Sequence, residues 1–175
     1  MYSPPYLNNY DYSEIYKCEL WLIGFLQSVD QWRRLRIGTF RSHHSICFPA
    51  TDTLRSAPEL REVHRLVEQA ARCRDMGGYA QERMPRIIRG YFDDVAQMLV
   101  QQVSHLALGG YIACVVGNSK HGALHIPTDA LIAKTGIALG LDLVDIHIVR
   151  HRRSRTSRSL FLRESVVVFR KPATS

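Results

Sequence analysis

Four residues at the start of the chain, Ser3, Pro4, Pro5 and Tyr6, have types and spacing suited to holding a flat ring. Each proline fixes its own φ and lacks an N–H, and Pro5 also keeps Pro4 extended. The backbone carbonyls of this corner are therefore free to accept hydrogen bonds. Ser3 adds a hydroxyl acceptor and Tyr6 adds an aromatic face. The corner predicts a site that holds and stacks a planar ring bearing an amino group, such as a nucleobase.

A second group of candidate residues lies near the C-terminus, where arginines are concentrated and acidic residues are nearly absent. The chain as a whole has a net charge of +7 and a pI near 9.5. Such a run predicts phosphate binding, and the alternative is a solvated hairpin loop that keeps the protein soluble. The predicted phosphate-binding residues are Arg150, Arg152, Arg153, Arg155 and Arg158.

Length and composition predict a single domain over residues 1–175, since a chain of 175 residues with 46% hydrophobic content can bury one core. The longest apolar runs are too short to cross a membrane, and no leader-like N-terminus is evident. These features predict a cytoplasmic protein. Cys18, Cys47, Cys73 and Cys114 show no CxxC spacing, which favours reduced, buried thiols and no metal site.

The elements that must position these residues are predicted from the spacing of apolar side chains. Helices are indicated where apolar residues recur at three- and four-residue steps, and residues 38–52 show no period and predict an irregular segment. The predicted helices cover 14–26, 30–36, from Pro58 to the glycine pair 77–78, from beyond Pro85 to 106, and from Thr128 to Gly140.

Strands are predicted mainly in the second half of the chain. Residues 111–116 form a continuous apolar run bounded by glycines, which indicates a central strand covered on both faces. A loop over 117–126 follows. Residues 141–149 and 164–170 predict two strands joined by the arginine-rich segment. The pattern predicts an α/β fold, with a central sheet, flanking helices and a C-terminal antiparallel hairpin.

The proline corner and several later segments resemble the DNA amino-methyltransferases that modify cytosine at N4 or adenine at N6. The resemblance covers nearly the whole chain. The segments that carry it are SPPYLNNYDYSEIYKCELWLIGF, RSHHS, GGYIACVVGNS, IPTDALIA and RESVVVFRK. In that family a leading serine in the corner is typical of cytosine-N4 enzymes, and an aspartate there is commoner among adenine-N6 enzymes. The resemblance implies a partial Rossmann-like, S-adenosylmethionine-dependent methyltransferase fold.

The resemblance also implies roles for individual residues. The Ser3 hydroxyl and the Pro4 carbonyl would take the two amine protons, and Tyr6 would stack on a base swung out of the helix. These acceptors also favour the positive charge that develops on the nitrogen. Asn118 is a candidate cofactor contact, because it follows the strand 111–116 and open α/β sheets bind ligands at that edge. The alternative for Asn118 is a simple turn residue.

Two groups of polar residues are open to different interpretations. The first group comprises Asn8, Asn9, Asp11 and Tyr12. It either lines the base pocket or supplies turn and capping residues. The second group comprises Arg41, His43 and His44. These side chains are candidates for phosphate contact, and two adjacent histidines without a third ligand do not predict a metal site.

One part of the family pattern is missing. The family binds S-adenosylmethionine through a Phe-x-Gly-x-Gly loop after its first strand, with an acidic residue that holds the ribose. Neither is found here, since the glycine pairs 77–78 and 109–110 have the wrong spacing. The chain thus resembles the C-terminal portion of a methyltransferase, as a truncated reading frame, a split enzyme or a rearranged variant. An exposed sheet edge would favour pairing with the missing half on another chain, or with a second copy.

Three functions follow from these patterns. The first is a DNA methyltransferase of a modification system, with S-adenosylmethionine as cofactor and DNA as partner. The second is an amino-methyltransferase acting on RNA or on a protein glutamine, because similar corners hold those planar amines and amides. The third is a nucleic-acid-binding remnant without catalytic activity.

Overall fold

Helices and two antiparallel sheets form the described part of the chain. The computed structural model describes residues 1–8, 10–72, 78–121, 124–153 and 161–173. The helices in those ranges are α1 (Tyr12–Ile15), α2 (Lys17–Leu22), α3 (Val29–Ile37), α4 (Thr53–Ser56), α5 (Arg61–Ala71), α6 (Gly78–His105) and α7 (Thr128–Ala138), with one 3₁₀ turn at Pro58–Leu60. The strands are β1 (Tyr111–Gly117), β2 (Ser119–His121), β3 (Leu124–Ile126), β4 (Asp142–Arg153) and β5 (Phe161–Arg170).

The larger sheet has the strand order β1-β5-β4, and both pairings are antiparallel. The predicted C-terminal hairpin of β4 and β5 is therefore confirmed. The prediction that residues 111–116 form a central strand covered on both faces is wrong. The middle position belongs to β5, where Val167 and Phe169 are fully buried, while Tyr111 of β1 is 60% exposed. An apolar run shows that a strand is partly buried, but it does not show which strand has two neighbours.

A smaller sheet follows β1, where the sequence predicts only a loop over 117–126. Strands β2 and β3 pair antiparallel, with Ser119 opposite Ile126 and His121 opposite Leu124. Each strand has three residues, which is too short for a hydrophobic period to be recognised. This small hairpin turns the chain back from the end of β1 towards α7.

The core lies between the larger sheet and the helices α5, α6 and α7. Val63, Val67 and Ala71 are buried and form the inner face of α5. Helix α5 packs against α6, and α7 packs against β4 and β5. The largest fully buried side chains include Tyr91, Phe92, Phe169, Phe48, Ile88 and Leu99.

The boundaries of α5 and α6 differ from the prediction. Helix α5 ends at Ala71, before the glycine pair, of which residue 77 lies outside the described residues. Helix α6 begins at Gly78 and contains Pro85. A proline removes one N–H from the helical ladder and disfavours the helix around it, but it does not prevent a preceding turn. Burial of Met84, Ile87 and Ile88 on either side of Pro85 favours a continuous helix here.

The predicted helix over 14–26 is divided into α1 and α2, and most of its apolar residues stay at the surface, although Leu26 is buried. Ile15, Leu22 and Phe25 are 45%, 85% and 76% exposed. Helix α3 confirms the predicted turn over 30–36 and extends it at both ends. Apolar periodicity predicted the local helical conformation of this region. It gave no information about whether another surface covers the apolar side.

The sequence also predicts buried thiols and apolar runs that are too short to cross a membrane. Cys114 is buried as predicted, whereas Cys18 and Cys47 are exposed, so the prediction of burial is wrong for those two residues. Cys73 lies outside the described residues. Across the described ranges, the helices fall short of the length and apolar character that membrane crossing requires.

Helix α7 lies close against the middle strand. It ends in a Schellman motif, in which Gly140 N–H donates to the Ile137 carbonyl and Leu141 N–H donates to the Gly136 carbonyl, each at 3.0 Å. On its inner side, a Cβ atom added at Gly136 would lie 2.2 Å from Cε1 of Phe169. Glycine is therefore required at position 136 for the helix to contact β5.

Gly136→Ala tests this contact. The added methyl group must push α7 away from Phe169, and overpacking of a core costs about 1–3 kcal/mol. We expect the free energy of unfolding, measured in urea, to fall by about 1–3 kcal/mol. The matched control is Gly38→Ala, where an added Cβ would meet its nearest atom, the Leu35 carbonyl oxygen, at an ordinary 3.5 Å. Equal stabilities of the two variants would contradict the close packing of α7.

Candidate functional site

The proline corner is attached to the carboxyl end of β1. Tyr2 pairs with β1 in the parallel direction: its N–H donates to the Ala113 carbonyl at 3.0 Å, and Val115 N–H donates to the Tyr2 carbonyl at 2.9 Å. The Ser3 hydroxyl then donates to the Val115 carbonyl at 3.1 Å. Because the pairing is parallel, the corner leaves the sheet at the edge where β1 ends. Ligands bind at that edge in open α/β sheets.

Further contacts fix the chain after the corner. Pro4 is buried and Leu7 is fully buried. Nε2 of His121, on β2, donates to the Leu7 carbonyl at 3.0 Å. Burial lowers the pKa of His121 although the hydrogen bond to the Leu7 carbonyl acts in the opposite direction, so the neutral ring is favoured. Within the described part of the chain, the carbonyls of Pro4 and Pro5 accept no hydrogen bond.

Tyr6 is held from the opposite side by the C-terminal hairpin. Its hydroxyl donates to Oε1 of Glu164 at 2.5 Å, although the two residues are 158 positions apart. Arg150 donates through Nε to Oε2 of the same carboxylate. Glu164 lies on β5 and pairs with Gly117 of β1 on one side and with Arg150 of β4 on the other. The register of the sheet thus brings the corner and the arginine hairpin to one place.

The electrostatics of this contact favour a charged carboxylate. Burial alone raises the pKa of Glu164, but the hydrogen bonds from Tyr6 and Arg150 outweigh it and the pKa is lowered. The pKa of Tyr6 is raised, first by burial and then by its hydrogen bond to Glu164. The Tyr6 hydroxyl therefore remains protonated, and it acts here as a donor that orients its ring.

Arg152 packs over the Tyr6 ring. Its guanidinium carbon lies 5.9 Å from the ring centroid, within the range of a cation–π contact. A Cβ atom added at Gly117 would lie 3.0 Å from Cδ2 of Tyr6 and 2.8 Å from Nη2 of Arg152. The glycine at the end of β1 therefore allows both side chains to approach the strand.

Asn118 lies at the end of β1, as predicted. It is buried, and its side chain supports helix α7. Its Oδ1 accepts from the N–H of Asp129 at 3.2 Å, in the first turn of the helix. Asp129 is fully buried, and its carboxylate accepts from Arg163 at 2.6 Å and from Ser165 at 2.8 Å. Burial raises the pKa of Asp129, but these hydrogen bonds lower it overall. The side-chain carbonyl of Asn118 is thus already used within the protein.

The predicted phosphate-binding arginines are only partly described. Arg150 has a side chain that is 61% exposed despite its pairing with Glu164. Arg152 contacts Tyr6, and Arg153 is exposed near the end of β4. Arg155 and Arg158 lie outside the described residues. All three described arginines lie on β4. Arg150 reaches the corner through Glu164 and Arg152 contacts Tyr6, an arrangement that sequence spacing did not reveal.

Asp11 organises a second polar network beside the corner. It begins α1 as its N-cap, so the capping interpretation is correct for this residue. Its carboxylate accepts from Arg36 at 2.7 Å, from Ser45 at 2.6 Å and from Ser13 at 2.5 Å. Burial raises the pKa of Asp11, but the hydrogen bonds from Ser13, Ser45 and Arg36 lower it well below its ordinary value.

Arg41, His43 and His44, the candidates for phosphate contact in the irregular segment, differ in burial. Arg41 is 6% exposed and pairs with Asp94 at 2.5 Å, and this pair fixes the irregular segment to α6. His43 is 2% exposed and joins the Asp11 network. Both residues are therefore too deeply buried for the predicted phosphate contact. His44 is half-buried. Among the described residues, no group of acidic, histidine and cysteine side chains could hold a metal ion.

An apolar pocket of about 250 Å³ lies between the corner and the irregular segment. Tyr12, for which the sequence left open a pocket-lining or a turn-forming role, contributes to its wall. Asn8 instead accepts from the N–H of Tyr10 at 3.3 Å, as a turn residue does, and Asn9 lies outside the described residues. The residues lining the pocket are Pro5, Tyr10, Tyr12, Thr39, Phe40, Ser42 and His43.

The residues present do not fit the main binding site for S-adenosylmethionine. The chain lacks the glycine loop that the resemblance requires. Gly109 and Gly110 lie in the turn between α6 and β1, so they do not follow a strand. Asn118 uses its carbonyl oxygen to support α7. The site therefore consists of groups that can hold an amine.

Comparison with known proteins gives three similar curated sequences. The chain is 25% identical over 182 residues to the type II methyltransferase M.AvaI of Nostoc sp. strain PCC 7120 and to M.AvaI of Anabaena variabilis. It is 24% identical over 190 residues to the type II methyltransferase M.BsoBI of Geobacillus stearothermophilus. Each alignment covers 97% of this chain and 37% of the relative. This similarity supports a relationship to DNA methyltransferases in general.

The other comparisons do not extend this result. No protein-family model matches the chain, and no solved structure matches it. The chain spans 37% of the length of the relatives, so most of their sequence has no counterpart in these 175 residues.

Asp11→Asn tests the electrostatic role of the second network. A carboxyl whose pKa is lowered by folding adds stability above its unfolded pKa of about 3.9, and that stability is lost as the pH falls through the folded value. We expect the substitution to reduce the free energy of unfolding by about 1–3 kcal/mol near neutral pH. The difference from the unsubstituted chain should shrink as the pH falls below about 4.

Urea unfolding at a series of pH values measures both effects. The control is Asp30→Asn, because the side chain of Asp30 is 73% exposed and pairs with Arg33 at the surface. Exposed pairs contribute little to stability, so this variant should resemble the unsubstituted chain. A difference between Asp11→Asn and the unsubstituted chain that grows on acidification would contradict the lowered pKa of Asp11.

Proposed function

We propose that this chain supplies the amine-binding side of a DNA amino-methyltransferase, which transfers a methyl group from S-adenosylmethionine to cytosine N4 or adenine N6. The observation that carries the proposal is the Ser3–Val115 hydrogen bond. The Ser3 hydroxyl uses its single proton on a backbone carbonyl. Its oxygen can then only accept, and an exocyclic amine is a group that donates.

The chemistry requires such acceptors. The lone pair of an exocyclic amine is shared with its ring, so the nitrogen is a poor nucleophile until that pair is localised. Ser3 Oγ and the Pro4 carbonyl accept the two N–H groups, and they stabilise the positive charge that develops as the methyl group is received. Tyr6, held by Glu164 and Arg152, offers a fixed ring for stacking. A carbonyl group on the ring would meet only acceptors here and would be rejected.

Cytosine is the favoured substrate within this proposal. The support comes from Ser3 at the first position of the corner, which is typical of cytosine-N4 enzymes in the family that the chain resembles. Both cytosine and adenine present an amine beside a ring nitrogen, so the acceptor geometry alone fits either base.

The arginine strand supports DNA as the partner. Arg150 and Arg152 of β4 lie close to the corner, through Glu164 and Tyr6, and a nucleotide swung into the corner brings its phosphates to the same surface. Arg153 follows them at the end of the strand. The net charge of +7 has the sign that phosphate binding requires. The partial Rossmann-like arrangement belongs to the same proposal, with the methyl-donor site contributed by residues beyond these 175.

Exposed apolar residues support association with such a complementary part. Leu143, Val144, Ile148 and Val149 of β4 are between 37% and 55% exposed. Among the described residues, nothing pairs with the outer edge of β4. Unpaired edges and apolar surfaces favour association. The complementary part is either the remaining methyltransferase sequence, on the same or another chain, or a second copy of this chain.

The first test measures the cofactor and methyl transfer. We expect calorimetry to show S-adenosylmethionine binding only when the chain is extended by the genomic segment upstream of Met1. In the extended protein, Tyr6→Ala should reduce methyl transfer to duplex DNA by about 100-fold or more, because the base loses its stacking surface. Tyr6→Phe should retain most of the activity, because the ring remains.

Controls separate the competing functions. Tyr111→Ala removes a tyrosine that is 60% exposed and distant from the corner, and it should leave transfer unchanged. Full activity of Tyr6→Ala would overturn the assignment of the corner. Transfer to RNA or to a glutamine peptide, with duplex DNA inactive, would support the second function. DNA binding without any methyl transfer would support a non-catalytic remnant.

The second test measures the phosphate contacts. Arg150→Ala should flatten the dependence of log binding constant on log salt concentration by about one unit for duplex DNA. Fluorescence anisotropy at several salt concentrations gives this slope. The control is Arg33→Ala, since Arg33 has a side chain that is 68% exposed and lies on α3. Equal slopes for both variants would contradict a phosphate role for Arg150.

A further inference from the structure

Strand β4 is an edge strand that is exposed to solvent over most of its length. It has 12 residues, and none of them is buried. One side of the strand pairs with β5, and among the described residues no strand pairs with the other side. Strands of globular proteins usually have about 3–10 residues, and a long exposed edge is a template for pairing with another chain. We therefore expect this edge to have a partner.

The residue types of β4 change sign about Ile146. Acidic residues precede Ile146, basic residues follow it, and apolar residues occupy the same steps on both sides. The residues at equal distances from Ile146 are Asp145 and His147, Val144 and Ile148, Leu143 and Val149, and Asp142 and Arg150. Each of these pairs combines an acidic residue with a basic one, or an apolar residue with another apolar one. The strand is therefore complementary to itself when it is reversed.

This pattern fits antiparallel pairing of β4 with β4 of a second copy. In such a symmetric dimer the two-fold axis is perpendicular to the sheet, and one residue lies opposite its own copy. With Ile146 at the axis, every residue faces the other member of its pair. Opposite charges and apolar side chains directly across two strands stabilise a sheet, whereas like charges there destabilise it. Charges on an edge strand usually prevent self-association, but here their order favours it.

The pattern selects one register. With the axis one residue away, at His147, Asp145 would lie opposite Val149, and other charges would also face apolar residues. The ladder between β4 and β5 is regular from Asp145 to Ile148 and has register shifts on either side. The regular part of the strand thus contains the axis at Ile146, where the pairing between the two copies begins.

The side chains that this pairing uses are exposed in the single chain. Asp142 and Asp145 are exposed and form no ion pair among the described residues. The apolar members are Leu143, Val144, Ile148 and Val149, with 37%, 53%, 39% and 55% exposure. His147 is also exposed, and an imidazole can donate to a carboxylate in either charge state. A second copy would therefore provide partners for groups that have none within the described part of the chain.

Arg150 connects this edge to the proline corner. Its Nε donates to Glu164 of the same chain, and its side chain is 61% exposed. Asp142 of the second copy lies opposite Arg150 in this register, so its carboxylate can accept from the remaining N–H groups of the guanidinium. The phosphate contact proposed above needs the same N–H groups. DNA and the second copy therefore compete for Arg150.

We infer that β4 pairs antiparallel with β4 of a second copy of this chain, with Ile146 at the two-fold axis, so that the two larger sheets join into one continuous sheet. The partner is a second copy because the strand is complementary to itself in charge and in apolar character. The remaining methyltransferase sequence is the other occupant to be tested. The inference uses only β4 and is independent of the proposed function.

Sedimentation velocity of the full chain without DNA, over a wide range of protein concentration, tests this pairing. We expect a reversible dimer. Asp145→Lys places a lysine opposite His147 of the second copy, and His147→Glu places a glutamate opposite Asp145. The symmetry repeats each change on both sides of the axis. Each single variant should therefore raise the dissociation constant of the dimer by about tenfold.

The double variant, which combines Asp145→Lys with His147→Glu, provides the decisive comparison. It restores opposite charges across the axis, so it should dimerise about as well as the unsubstituted chain. The matched control is Asp30→Lys, which reverses a charge that is 73% exposed on α3 and should leave dimerisation unchanged. Circular dichroism and urea unfolding establish that the variants fold. Amide hydrogen exchange over residues 142–150 should slow as the dimer forms, which locates the contact.

Each outcome decides the inference. Weaker dimers of both single variants, with recovery in the double variant, would establish the register. A monomer at every concentration, a dimer that the single variants leave unchanged, or a double variant no better than the single ones would overturn the inference. A monomeric extended protein in which exchange over residues 142–150 is slow would also overturn it, because the remaining methyltransferase sequence would then cover the edge. Methyl transfer is a separate readout, so failure of the dimer and failure of the proposed function are distinguishable.

Discussion

The pairing of β5 with both of its neighbours is the constraint on which the corner depends. It brings Glu164 opposite Gly117 on β1 and opposite Arg150 on β4. The carboxylate can therefore reach the Tyr6 hydroxyl, while Gly117 leaves space for the Tyr6 ring. A shift of β5 by one residue would turn Glu164 to the other face of the sheet. The position of Tyr6 is thus set by the strand register as well as by the prolines.

The buried carboxylates near the corner need charged or hydrogen-bonding partners. Removing a charge from water is costly, and the cost is offset only when the charge is paired and hydrogen-bonded. Glu164 meets this condition through Tyr6 and Arg150, and Asp129 meets it through Arg163 and Ser165. Both carboxylates lie on elements that meet at the end of β1. The polar groups that surround the corner therefore fix its geometry, since each would lose partners if the strands or α7 moved.

The sequence predicted the elements with strong local signals and missed contacts that join distant residues. Helix α7 and the strands β4 and β5 were found because glycines and apolar runs mark them. The exposure of Leu22 and Phe25 was not predicted, because periodicity describes one helix and not the surface opposite it. The role of Glu164 was missed for a related reason. Its partner Tyr6 lies 158 residues away, and only the folded sheet brings the two together.

The proline corner has one chemical property that limits what the site can do. Ser3 has donated its proton, and the Pro4 carbonyl has none. Both groups therefore present acceptors, and a ligand that binds beside them must bring the donors. Acceptors can hold an amine and localise its lone pair, but they cannot supply a methyl group. Under the proposed function, the corner recognises the acceptor substrate, and a different set of residues forms the donor site. Because the chain aligns with 37% of the length of its relatives, this division between recognition and methyl donation can follow a division of the sequence itself.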